Sequence, residues 1–136
     1  MDTFLKSLEN LKNIIHNLIN SDDISVSNLQ EINNGISNLI DSYNNLLFPI
    51  TNYLNTNYKG IFISKLDELY FENISLFYNI INNLLVILNN IQEILKLQTS
   101  KLNYNYKKNL INLQKEKIKE IINQLDLIPT SLSILL

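Results

Sequence analysis

The sequence has no cysteine and no tryptophan, and alanine and arginine are missing too. Without cysteine there can be no disulfide, no thiolate metal site and no sulfur nucleophile. Without arginine the chain lacks the planar fork that grips phosphate, guanine or carboxylate with two bonds at once. The single histidine, His16, has no Asp/Glu-x-x-His spacing beside it, so it reads as a structural or surface residue. The two glycines stand alone at 35 and 60, which leaves no Gly-rich loop to cradle a phosphate. No His-Glu-x-x-His motif, nucleophile elbow or zinc spacing occurs. These absences argue against an enzyme and imply no cofactor, metal or small-molecule substrate. Ala and Arg disappear while Asn, Ile, Lys and Tyr are plentiful, which is the pattern left by an AT-rich genome.

Export signals are scarce as well. Asp2 and Glu9 stand where a secretory leader would be basic and then apolar, so no signal peptide is read. The longest uninterrupted apolar stretch, 84–88, falls far short of the roughly 20 residues of a membrane span. The expectation is an intracellular protein, of cytoplasm or nucleus, with no transmembrane segment. Asn73-Ile74-Ser75 matches a glycosylation sequon, which carries no weight without a secretory route.

What is present is apolar periodicity. Hydrophobic residues make up 46% and charged residues 18% of 136 positions, enough for one core in a single domain spanning 1–136. The many Asn residues do not form a low-complexity tract, because they sit between Ile and Leu at helical spacing. The Asn pairs at 82–83 and 89–90 are seven residues apart, as are their neighbours Leu84 and Ile91, so Asn fills the solvated face of a helix.

Four helices follow from the spacing. In the first, over about 2–20, Phe4, Leu8, Leu11, Ile15 and Leu18 step by four and three. Asp2 or Thr3 can cap its start, and Ser21-Asp22-Asp23 breaks it. The second, over 27–57, opens on Ser27-Asn28-Leu29-Gln30, which reads as a capping box. Its seam is Leu29, Ile32, Ile36, Leu39, Tyr43, Leu46, Ile50 and Tyr53. Pro49 predicts a kink there or a new helix start, since proline inside a helix costs about 3 kcal/mol.

Asn57 to Gly60 is a turn, and Ser64 opens a third helix over 64–97. Its seam runs Leu66, Tyr70, Phe77, Ile80, Leu84, Ile87, Ile91 and Ile94, with Asn73 in one seam position and Ile81, Leu85, Leu88 and Leu95 widening it. The seam fails at 98–103 and resumes in another phase as Ile111, Ile118, Ile121 and Leu125, so a turn there is favoured over one long stuttering helix. Pro129 ends the fourth helix, 101–127, and leaves an apolar tail over 128–136. The expected fold is all-α: an elongated antiparallel helical bundle with coiled-coil-like packing. Asn is a mediocre helix former, so helices like these depend on burying their stripes.

The stripes look wider than four helices can hide, which points to a non-catalytic interaction or structural protein. Such a chain would be a subunit or adaptor of a larger assembly, or a homo-oligomer, working by helix–helix packing. Tyr43, Leu46, Ile50, Tyr53, Phe77, Ile81, Leu85, Leu88 and Leu95 are the expected partner interface, together with the apolar tail.

Charge suggests a second reading. Residues 1–95 carry four Lys against ten acids, and residues 96–136 carry seven Lys against three acids, while the whole chain is at -2. Lys101, Lys107, Lys108, Lys115 and Lys119, interleaved with Tyr104 and Tyr106, could face nucleic acid or an acidic partner. The competing structural reading is a solvated helix face that pairs with acidic helices of the same bundle. A third possibility is a viral decoy that imitates a host bundle and takes an amphipathic peptide in a groove. Asp67, Glu68 and Glu72 form an acidic cluster at the start of the third helix, where carboxylates also complement the helix dipole.

Overall fold

The computed structural model describes residues 1–57, 65–97 and 101–136, apart from the side chains of 55–57 and 101–103. The fold is all-α, and no strand occurs among the described residues. The elements are α1 (Asp2–Asn20), α2 (Val26–Asn57), α3 (Lys65–Leu95), α4 (Lys101–Leu125) and α5 (Leu127–Leu135). The expected turn at 57–60 and the start at Ser64 fall at or beyond the edge of the described residues.

The pairs α1–α2, α2–α3, α3–α4 and α1–α4 are each antiparallel. Phe4 of α1 meets Tyr43 of α2, while Leu11 lies over Gly35. Asn44 and Thr51 of α2 bond Tyr78 and Tyr70 of α3. Asn90 of α3 bonds Gln114, and the backbone of Leu95 accepts from Lys107. Lys12 reaches Asp126, and Lys115 reaches Ser21, which closes the ring between α1 and α4. On each pair a forward step on one helix matches a backward step on the other. α3 and α4 are therefore separate antiparallel helices rather than one long one.

The core is the sum of the stripes. Phe4, Leu8, Leu11, Ile15 and Leu18 of α1 are buried, as are Leu29, Ile32, Ile36, Leu39, Tyr43 and Leu47 of α2. From α3 come Phe77, Ile80, Ile81, Leu84, Ile87, Leu88 and Ile91, and from α4 Ile118, Ile121, Ile122 and Leu125. α1 and α2 lie close because Gly35 has no side chain: a β-carbon there would sit 3.1 Å from Leu11 Cδ1. α2 and α3 are instead spaced by rings, with Tyr43 and Phe77 stacked at 3.7 Å and 7°. Tyr78 meets both edge-on.

Four expectations need correction. Of the two outcomes expected at Pro49, a kink or a new helix start, the new start does not occur: α2 runs unbroken through it. Pro49 and Asn45, whose carbonyl loses its donor, are both exposed, so water can serve that carbonyl. The capping box lies two residues earlier than Ser27. The Ser25 amide donates to Asn28 Oδ1 at 2.8 Å, and the Asn28 amide donates back to Ser25 Oγ at 3.4 Å. Asn28 thus fills the place usually held by Glu or Gln. At the start of α1, Asp2 sits within the first turn, and Met1 takes the cap position without a side-chain bond.

The fourth correction concerns the tail. It is helix α5, and it buries Ile128, Leu132 and Leu135. Proline cannot donate to the carbonyl four residues back, so Pro129 interrupts the helix at Asp126. The chain then continues along α3, where Ser131 meets Asn73. α5 extends the line of α4 and completes a bundle of four helical columns.

Asn73 is 2% exposed and sits at the centre of a buried polar relay. Tyr43 Oη donates to Asn73 Oδ1, and Asn73 Nδ2 donates to Ser131 Oγ at 2.7 Å. The sequon asparagine is therefore committed to the interior. Among the described residues no buried side-chain oxygen or nitrogen lacks a partner.

By length and composition α3 is apolar enough to cross a bilayer, with a mean hydropathy of 1.4 in its best window. In the bundle its seam packs on α2, α4 and α5, and its outer face carries Asn79, Asn82, Asn83 and Asn89 together with the exposed Phe71, Leu85 and Val86.

Candidate functional site

The residues nominated as a partner interface divide sharply. Tyr43, Phe77, Ile81 and Leu88 are buried in the chain's own core, so they are not on its surface. Leu132 and Leu135 of the expected tail interface are buried as well. Leu46, Ile50 and Leu95 are half-buried, and Tyr53 and Leu85 are 56% and 39% exposed. The buried ones failed as surface candidates because a helix flanked on both sides consumes a wide stripe, and stripe width alone does not reveal the number of neighbours.

What remains open has a definite place. α1 begins at Asp2, and its Phe4 meets α2 at Tyr43. Leu46, Ile50 and Tyr53 lie on the flank that, further back, turns Gly35 towards α1. They extend the same seam by steps of four and three. Met1 and Leu5, 43% and 40% exposed, stand at its edge. The result is a shallow apolar flank that is half-buried to exposed among the described residues. Leu85 is not part of it, being about 22 Å along α3 from the level of Tyr70.

The Lys-rich segment is only partly free. Lys107 Nζ donates to the carbonyls of Leu95 and Leu97, both at 3.2 Å. Lys115 Nζ donates to the Ser21 carbonyl at 2.6 Å. Neither α1 nor α3 has a basic residue in its last turn, so α4 supplies the cations that satisfy the carbonyls and the negative ends of both dipoles. Lys119 pairs with Glu116 at 2.8 Å on its own helix. Lys108 is exposed and makes no bond among the described residues. The Lys101 side chain lies outside the described residues. Tyr104 and Tyr106 are 57% and 62% exposed and project from different sides of α4.

Part of this segment borders a cavity of about 310 Å³ at this end of the bundle. Tyr104, Lys107, Lys108, Ile111, Asn112 and Lys115 line it from α4. Asp22, Asp23 and Ile24 close it from the α1–α2 connection, and Leu95 from the end of α3. Asp22 and Asp23 were legible in the sequence only as a helix break, and nothing local revealed that Lys-bearing α4 folds back across them.

Two ionic features lie elsewhere. Lys12 Nζ meets Asp126 at 2.6 Å, at the joint between α4 and α5. The hydrogen bond from Asp126 is the main cause that raises the Lys12 pKa, with Glu9 adding a smaller pull. In the acidic cluster Asp67 is buried, and Glu68 pairs with Lys65 at 3.7 Å. Among the described residues no three His, Cys, Asp or Glu side chains gather as a metal site. His16 is exposed on α1.

Comparison of the chain with protein-family models, with curated proteins and with solved structures finds no match.

Proposed function

We propose that the chain is a non-catalytic helical interaction protein, a subunit or adaptor that works by packing a partner helix against α2. The observation that carries this reading is the flank of Leu46, Ile50 and Tyr53, which continues the α2 seam yet is only half-buried or exposed. A helix laid there would bury side chains already spaced for knobs-into-holes packing. The Lys-rich alternative draws less support, because Lys107, Lys115 and Lys119 are already bonded within the fold. An intracellular site of action fits the absence of cysteine from the sequence.

The test is association measured by light scattering and by cross-linking from position 53. Wild-type protein, with itself or with a partner purified from its source, is expected to form a complex that cross-links at Tyr53. The double variant Ile50→Asp/Tyr53→Asp should lose that complex while keeping its helical circular dichroism. Charges at two half-open positions oppose apolar burial without entering the core. A complex that forms equally well with the double variant, or only through residues of α4 and with steep salt dependence, overturns the reading in favour of the electrostatic one.

A further inference from the structure

The cavity between the α1–α2 connection and α4 holds opposite charges that do not pair. Asp22, Asp23 and Lys108 all line it, yet none of the three forms an ion pair among the described residues. Lys107 and Lys115, also in its wall, are held in place by the carbonyls at the ends of α3 and α1. The cavity thus sees three ammonium groups, two carboxylates and two helix C-termini. Each C-terminus counts as roughly half a negative charge, so the walls come close to electroneutral, with Asp22 and Asp23 on the connection and the unpaired Lys108 on α4. A phosphate or a simple cation gains on one wall and loses on the other. A molecule that carries both charges gains on both.

Size and apolarity narrow the class. The volume, about 310 Å³, lies at the small end for ligand pockets. Ile24 and Ile111 are half-buried members of the apolar lining, and Leu95 completes the floor. We infer that this cavity binds a small zwitterion with an apolar side chain, of the amino-acid type. Its ammonium faces Asp22 and Asp23, its carboxylate faces Lys108, and its side chain lies on Ile24, Leu95 and Ile111. The inference is independent of the helix-packing reading, since the cavity lies at the opposite end of α2 from Tyr53.

The test is a titration of backbone amide resonances of the full chain with L-leucine into the tens-of-millimolar range. Saturable shifts are expected at 22–24, at Leu95 and along 104–115. 3-Methylbutanoate, which lacks the ammonium, 3-methylbutylamine, which lacks the carboxylate, and inorganic phosphate should each bind about two- to fivefold more weakly, as expected for loss of one exposed ion pair. The double variant Asp22→Asn/Asp23→Asn and the variant Lys108→Met should each weaken leucine binding by a similar factor with unchanged circular dichroism. No saturable shift, shifts centred elsewhere, or phosphate or 3-methylbutanoate binding as tightly as leucine overturns the assignment.

Discussion

At the scale of single residues, the relay Tyr43–Asn73–Ser131 shows how a polar group can specify a helical core. An asparagine in an apolar seam costs stability unless its oxygen and nitrogen are both served, and here they are served by two other helices. Sliding α3 by one turn would leave Asn73 unpaired, so the relay selects one register. Replacing Tyr43 by Phe removes the hydroxyl but keeps the stack on Phe77, so the loss isolates the hydrogen bond. The expected cost is about 1–3 kcal/mol, because the Asn73 oxygen stays buried without a donor. Burial also pushes the Tyr43 phenol above its ordinary pKa of about 10. Since the unfolded chain releases this proton first, the contribution to stability is complete below about pH 10 and is lost as pH rises towards the folded value. Lys12, raised by Asp126, acts in the same direction. Denaturant midpoints measured from pH 8 upward should therefore fall above about pH 10 in the wild type and fall less in Tyr43→Phe. Equal alkaline slopes for the two proteins would contradict a buried neutral phenol.

At the scale of elements, what the sequence made legible was the part encoded by local spacing. The seams of α1 and α2 can be read directly because a step of three or four residues puts side chains on one face whatever surrounds the helix. Ends were harder. Ser27 and Gln30 matched the usual capping pair, but Asn28 reached back to Ser25 and began the helix sooner. The two assignments differ by experiment. Ser25→Ala is expected to cost about 1 kcal/mol in thermal or denaturant unfolding, and Ser27→Ala to stay within about 0.5 kcal/mol. The reverse order would restore the later cap. α5 was hidden for a different reason. Pro129 reads as a stop, and whether the chain resumes as a helix depends on Ile128 and Leu132 finding α3, which is a tertiary event. The cavity was unreadable on the same ground, since Asp22 and Lys115 lie far apart in sequence and meet only because α4 folds back beside α1.

At the scale of the whole molecule, the bundle divides into two tightly packed hairpins, α1–α2 and α3–α4–α5, joined through an aromatic layer. Gly35 draws the first pair together, whereas Tyr43, Phe77 and Tyr78 fill the space between α2 and α3. Neither hairpin can stand alone, because its Asn-rich helices have poor intrinsic propensity and would expose the stripe that the other covers. The halves must therefore unfold together. Phe77 lies fully buried at that junction, stacked on Tyr43. Phe77→Ala should cost about 3–5 kcal/mol, a large share of the roughly 5–15 kcal/mol that holds a domain folded. The chain has seven tyrosines and no tryptophan, so its fluorescence comes from tyrosine alone, Tyr43 and Tyr78 of the aromatic layer included, while circular dichroism reports the helices. For both wild type and variant the two signals should trace one transition, shifted to lower denaturant in the variant with its slope unchanged. Two separated transitions, with fluorescence changing first, would mean that the hairpins hold their helices independently and that the aromatic layer only glues them together.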